Sequence, residues 1–186
     1  MGDGEVILVH NEGSTLFNAT WDDYKEGLES TLSSDYFLGN LALHHQTSQI
    51  SHILRIEFWL KNGSYFYSEY KGFGLSPELF DYAMEIAEYS GGTAGDGGLV
   101  GISNKFQTVD HGDSNQCALT YAGGWWWDGG CSQSSLTSYN ISWESLSNDD
   151  DGDGIGTVMM RMKPDIALLD GMWYFEPAFF TTNDAK

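Results

Sequence analysis

Along most of the chain, apolar and polar residues alternate with short periods. The run Val-Ile-Leu-Val at 6–9 is continuous and apolar, which predicts a buried strand. Residues 20–27 open with Thr20, place Asp22 and Asp23 in the next turn and close with Gly27; this is the signature of a short capped helix. Residues 36–40 and 41–45 predict a second small helical or turn segment. The strongest local signal lies at 53–70. Two β-branched and aromatic runs, 53–60 and 65–70, flank Lys-Asn-Gly-Ser at 61–64 and predict a β-hairpin. Residues 73–75 and 83–87 predict further strands, 89–101 a glycine-rich loop, and 157–163 a last strand. Residues 110–143 carry little periodicity. The expected fold is α+β, with an antiparallel sheet, short helices and a long irregular region.

Composition sharpens this picture. The chain has 186 residues, 41% of them hydrophobic and 15% aromatic, enough for one globular domain or one domain plus a small extension. The expected division is a domain at 1–164 and an apolar extension at 165–186, rich in aromatics around Trp173 and Phe179. With 23 Gly and only 3 Pro, the fold is loop-rich with many positive φ angles. There are 27 acidic residues against 8 basic ones, a net charge of −19. Nucleic acid and anionic membrane surfaces are poor partners for such a chain, and hard cations are natural ones. No stretch is long and apolar enough to cross a bilayer.

Cys117 and Cys131 are the only cysteines, and a bridge between them closes a loop worth about 3 kcal/mol. A zinc site would need further ligands nearby, which the sequence lacks. Sequons begin at Asn18, Asn62 and Asn140. Bridge and sequons together point to a secreted protein. The first residues lack the basic start and apolar run of a signal peptide, so secretion implies a leader already removed or lying upstream.

Several motifs then occur in one order and spacing. They are Trp21-x-x-Tyr24-Lys-Glu-Gly27, Phe37-Leu-Gly-Asn40, Leu43-His44, Thr47-x-Gln49 and Leu54-Arg-Ile-Glu57. Further on come Tyr89-Ser-Gly-Gly-Thr-Ala-Gly-Asp96, Lys105-Phe-x-Thr108, Cys117-Ala118, Trp125-Trp126, Cys131 and Met160-x-Met162-Lys-Pro164. From about Val6 to Pro164 the chain resembles the fibrinogen C-terminal domain of fibrinogen, ficolins, tachylectins and angiopoietins. It departs from that pattern in lacking the N-terminal subdomain with its own disulfide. It also carries an extra Gly at 91 or 92, and its tail after Pro164 has no counterpart.

The resemblance implies a site. In the family, aspartates ahead of the first cysteine of the loop hold Ca²⁺ with backbone carbonyls, which here makes Asp110 and Asp113 candidates on a stretch about three residues shorter than usual. Tyr121 matches an aromatic that lines the acetyl-group pocket of the lectin members. The peptide bond before the second cysteine is often cis, so Gly130–Cys131 is expected cis. The family's His after that cysteine is Ser132 here. The later loop is largely deleted between Tyr139 and Trp143, with Tyr139 the candidate replacement.

Two further readings come from the residues themselves. Asp149, Asp151 and Asp153 followed by Gly154 resemble the first half of an EF-hand loop. The closing Glu is replaced by Met160 and Thr157 stands at the water-mediated position, so the expectation is an isolated Ca²⁺ loop with ligands from elsewhere. Trp125, Trp126 and Trp127 are adjacent, which predicts that at least one is exposed or in a cleft, with Trp127 joining Tyr121, Ser132 and Tyr139 in ligand binding. His44, His45 and His111 read as structural or surface residues. No Gly-x-Ser-x-Gly motif occurs, and nothing points to an enzyme. The expected function is a secreted, calcium-assisted recognition module for a glycan or acetylated ligand, with an extracellular protein as the other candidate partner. The alternative is a structural or adhesive subunit without lectin activity that assembles with other copies through its tail.

Overall fold

The computed structural model describes residues 3–100, 104–131, 134–146 and 154–166. Among these residues eight strands and three α-helices follow in the order β1 (Glu5–Asn11), α1 (Trp21–Glu26), β2 (Leu28–Glu29), β3 (Tyr36–Phe37), α2 (Asn40–Thr47), β4 (His52–Leu60), β5 (Tyr65–Leu75), β6 (Met84–Glu85), β7 (Glu88–Gly92), α3 (Cys117–Tyr121) and β8 (Ile155–Pro164). They form one antiparallel sheet in the order β2-β3-β1-β8-β4-β5-β6, with β7 also paired to β5. The α+β, mostly antiparallel architecture is the one expected. The apolar extension at 165–186 lies almost wholly outside the described residues.

Local chemistry explains the elements that the pattern predicted. Thr20 and Asp23 form a reciprocal capping box at the start of α1. In the hairpin, the Asn62 side chain accepts the Ser64 N–H at 2.8 Å, and Gly63 takes a φ of 87° with open space around it. Along β4, Leu54, Ile56 and Phe58 enter the core, and Met162, Met160 and Val158 stand opposite them on β8. The sheet therefore buries one face under the helices and the irregular region.

Three expectations change. Residues 36–37 form a strand rather than a turn or helix, because Phe37 and Tyr36 pair with both Leu8–Val9 of β1 and the short β2. Residues 73–75 continue β5, and the 83–87 run shrinks to the two residues of β6. The start of the glycine-rich loop is strand β7, anchored by Tyr70 opposite Tyr89.

The other face of β4 buries a charge. Glu57 is fully buried and accepts from Arg161 Nε at 3.0 Å and from the Tyr65 hydroxyl at 2.6 Å, with Arg55 Nε at 3.5 Å. A buried carboxylate persists only when partnered in this way. Its guanidinium partners are about one-fifth exposed, so water softens its loss. Replacing Glu57 by Ala is expected to cost about 2 kcal/mol, below the roughly 3–5 kcal/mol of a fully buried pair. Urea unfolding measures the difference; a loss under 0.5 kcal/mol on that roughly 3–5 kcal/mol scale contradicts this account.

Candidate functional site

The irregular region is built around the bridge between Cys117 and Cys131, whose Cα atoms lie 5.5 Å apart. Cys117 opens α3, and Asp113 caps it from outside. One carboxylate oxygen accepts the Ala118 N–H at 3.0 Å and the other the Leu119 N–H at 3.1 Å. After α3, Ala122 turns left-handed with a φ of 54° and releases the chain into Gly123-Gly124. A Cβ on Gly123 would collide with the Thr137 carbonyl, and one on Gly124 with the Tyr24 ring. The two glycines are needed because segment 134–138 and helix α1 both press against this backbone.

Tyr24 joins those layers. Its buried hydroxyl donates to the Phe17 carbonyl at 2.7 Å and accepts the Gly124 N–H at 3.0 Å. Burial pushes its phenol pKa far up, so it stays a neutral donor. The Thr137 hydroxyl donates to the Gly124 carbonyl from the other side.

The three tryptophans are all buried, at 1–2% exposure, which corrects the expectation that at least one would be exposed or in a cleft. Segment 125–127 runs between two layers instead of along a surface. Trp125 pairs its backbone with Gln107, Trp126 donates to the Tyr82 carbonyl at 2.8 Å, and Trp127 donates to the Gly123 carbonyl at 3.2 Å. Trp126 meets Trp125 and Phe106 edge-on, at 5.0 and 4.9 Å. Trp127 lies under the Tyr121 ring, stacked at 5.2 Å and 25°. It serves as a platform, and Tyr121 presents the solvent face.

Tyr121 and Tyr139 come together at one edge. The Tyr139 N–H donates to the Tyr121 carbonyl at 3.0 Å, and both side chains are exposed, at 44% and 47%. The shortened loop that carries Tyr139 is pinned by reciprocal backbone bonds between Ser135 and Ser142, at 2.9 and 3.0 Å. The Tyr139 carbonyl also accepts the Gly13 N–H at 3.1 Å. The sequence marked Tyr139 as a candidate without showing its neighbours. Its place beside Tyr121 arises from a contact across 18 residues with no local signature.

The remaining candidates are less concentrated. Ser132, Asp149, Asp151 and Asp153 lie outside the described residues. The Gly130–Cys131 bond is not cis, and no cis peptide occurs among the described residues, which corrects that expectation. The turn is made instead by Cys131 at a φ of 61°, with its N–H and that of Gly130 held by Asp128. Asp110 accepts from Trp21 N at 3.0 Å and from the Thr108 hydroxyl at 2.7 Å, tying the start of α1 to the loop. His111 stacks on Trp21 at 3.8 Å and meets Asp81 at 3.0 Å. His44 binds the Leu75 carbonyl at 2.8 Å, a structural contact. Asn18, Asn62 and Asn140 are all exposed.

Calcium requires six to eight converging oxygens. Among the described residues no three His, Cys, Asp or Glu side chains gather as a metal group. In the described structure Asp113 and Asp110 accept from protein N–H and hydroxyl donors.

The described residues thus form an antiparallel sheet that carries a disulfide-stapled irregular region. Comparison with known proteins gives the family. The model for "Fibrinogen beta and gamma chains, C-terminal globular domain" matches residues 1–163. Mouse angiopoietin-4 is 33% identical over 145 residues, covering 76% of this chain and 28% of that protein. Human ficolin-3 is 31% identical over 172 residues, covering 85% of this chain and 55% of that protein. The fibrinogen-like globe domain of human ANGPTL6 superposes with a TM-score of 0.71 at 27% identity, covering 86% of this chain and 77% of that one. The chain belongs to the fibrinogen C-terminal domain family, and it spans about a quarter to a half of the length of these curated relatives.

The cap at α3 gives a direct test. Replacing Asp113 by Ala is expected to cost about 1 kcal/mol of stability, the usual worth of a helix cap, and equally so in EDTA and in calcium. Thermal melts under both conditions measure it; a cost that appears only with calcium would make Asp113 a metal ligand instead.

Proposed function

We propose that this chain is a secreted recognition module that binds a glycan or an acetylated ligand at the edge formed by Tyr121 and Tyr139. One observation carries the reading: two exposed tyrosines are joined backbone to backbone, one of them inside the segment closed by the disulfide. Exposed aromatic rings stack on sugar faces and on methyl groups, and a preorganised ring loses little entropy on binding. Trp127 stiffens the Tyr121 ring from below, and Ser132 follows Cys131 on the same loop. Membership in a family with ficolin and angiopoietin relatives supports recognition as the coarse function. The disulfide and the exposed sequon asparagines suit secretion. No helix among the described residues is long and apolar enough to cross a membrane. Calcium belongs to the reading through Asp149, Asp151 and Asp153, whose alternating acids repel one another unless a cation joins them. An extracellular protein is the other partner in this reading, and assembly with further copies would raise avidity.

A glycan array probed with and without EDTA tests the proposal. Wild type is expected to bind acetylated sugars. Tyr121→Ala and Tyr139→Ala are each expected to weaken binding about tenfold, near 1.4 kcal/mol, while melting temperature changes little. Loss of binding in EDTA would assign the calcium role. A silent array with well-folded protein removes glycan recognition and leaves the adhesive-subunit alternative.

A further inference from the structure

His10 is fully buried on β1, opposite Val158 of β8 and 4.3 Å from the Phe17 ring. Its Nδ1 lies 2.7 Å from the Leu136 carbonyl. A carbonyl only accepts, so Nδ1 carries the proton in the neutral ring and Nε2 is left as a bare acceptor. Nε2 is buried and has no hydrogen-bond partner among the described residues. Leu136 belongs to the segment that reaches Tyr139, which in turn bonds to Tyr121 and Gly13. His10 is thus a strut between the central sheet and one half of the candidate edge.

We propose that His10 is an acid-responsive latch: protonation puts an N–H at Nε2 where no acceptor waits, and segment 134–139 is released together with Tyr139. A buried donor without an acceptor destabilises the closed arrangement, whereas in an opened segment the imidazolium meets water. The release of ligand that follows rests on the proposed function above; the latch itself does not.

Phe17 beside the ring, Leu136 whose carbonyl it bonds and Val158 opposite it on β8 are uncharged. The charges that reach it are Glu12, just after β1, and Asp35 in the turn before β3, and both favour the protonated form. Burial outweighs them and the Leu136 bond, holding His10 below the ordinary histidine range. The closed state therefore keeps its full stability above about pH 6.5, the ordinary value, and loses it as pH falls from there toward the lower value of the buried ring.

Hydrogen exchange of the Tyr139 and Ser142 amides, corrected for intrinsic rates, tests the latch without any ligand. Wild type is expected to open more at pH 5.5 than at pH 7.5, by up to about one decade per pH unit below 6.5. His10→Asn keeps a donor where Nδ1 stood and does not titrate, so its protection is expected to be independent of pH. Constant protection in wild type, or the same acid loss in His10→Asn, overturns the latch. If His10→Asn does not fold, the His10 ring titration in wild type decides by NMR. A midpoint below about 6.5 together with acid-dependent exchange of the wild-type Tyr139 amide upholds the latch, and a midpoint at or above about 6.5 overturns it. Where exchange follows the latch but the array stays silent, the latch stands and the glycan reading falls.

Discussion

The last described strand, β8, lies in the middle of the sheet, hydrogen-bonded to β1 on one edge and to β4 on the other. Everything else depends on that insertion. Strands β1 and β4 cannot meet each other, so without β8 the sheet divides into two halves, each with an open edge. Met160 and Met162 complete the apolar face that Leu54, Ile56 and Leu8 begin. The core over which the irregular region packs exists only once residues 155–164 have returned to residues 5–11. Such non-local pairing makes folding slow by its loop-closure cost and cooperative once made.

The irregular region is ordered by a few polar atoms in an aromatic environment. The Tyr24 hydroxyl bridges the Phe17 carbonyl and the Gly124 N–H, and Thr137 closes the Gly124 carbonyl. The indole N–H groups of Trp126, Trp127 and Trp143 each donate to a backbone carbonyl, at 2.8, 3.2 and 2.7 Å. Loop backbone without sheet or helix partners must satisfy its groups some other way, and here large rings do so while excluding water. The same rings support the candidate edge, because Tyr121 stacks on Trp127.

Carboxylates in this acidic chain divide into two kinds. Some are spent inside the fold: Glu57 on Arg161 and Tyr65, Asp113 on α3, Asp110 on the start of α1. Asp35 belongs with them. Burial works against its charge, yet bonds from Ser33 and Asn11 hold its pKa below the usual carboxylate range. All 27 acids count toward the net charge of −19, whether or not they bond inside the fold. A charge count alone does not separate the two kinds, since separation depends on which N–H groups each carboxylate reaches.

The sequence by itself determined the α+β class, the capped helix α1, the hairpin of β4 and β5, strand β8 and the Cys117–Cys131 pairing. These follow from rules that act over a few residues: a capping box, an Asn-Gly turn, alternation with period two, and the presence of only two cysteines. The motif order added the family. Tertiary structure decided the rest. Tyr36 and Phe37 became a strand because β1 offered an edge, which outweighed their weak local preference. Three adjacent tryptophans became fully buried because layers on both sides close over them. Tyr139 met Tyr121 through a backbone bond, and the His10 ring met the Leu136 carbonyl across 126 residues; neither contact leaves a trace in local spacing. Short-range physics is written in the order of neighbouring residues. A site made by distant segments is not, because it exists only after the chain has closed on itself.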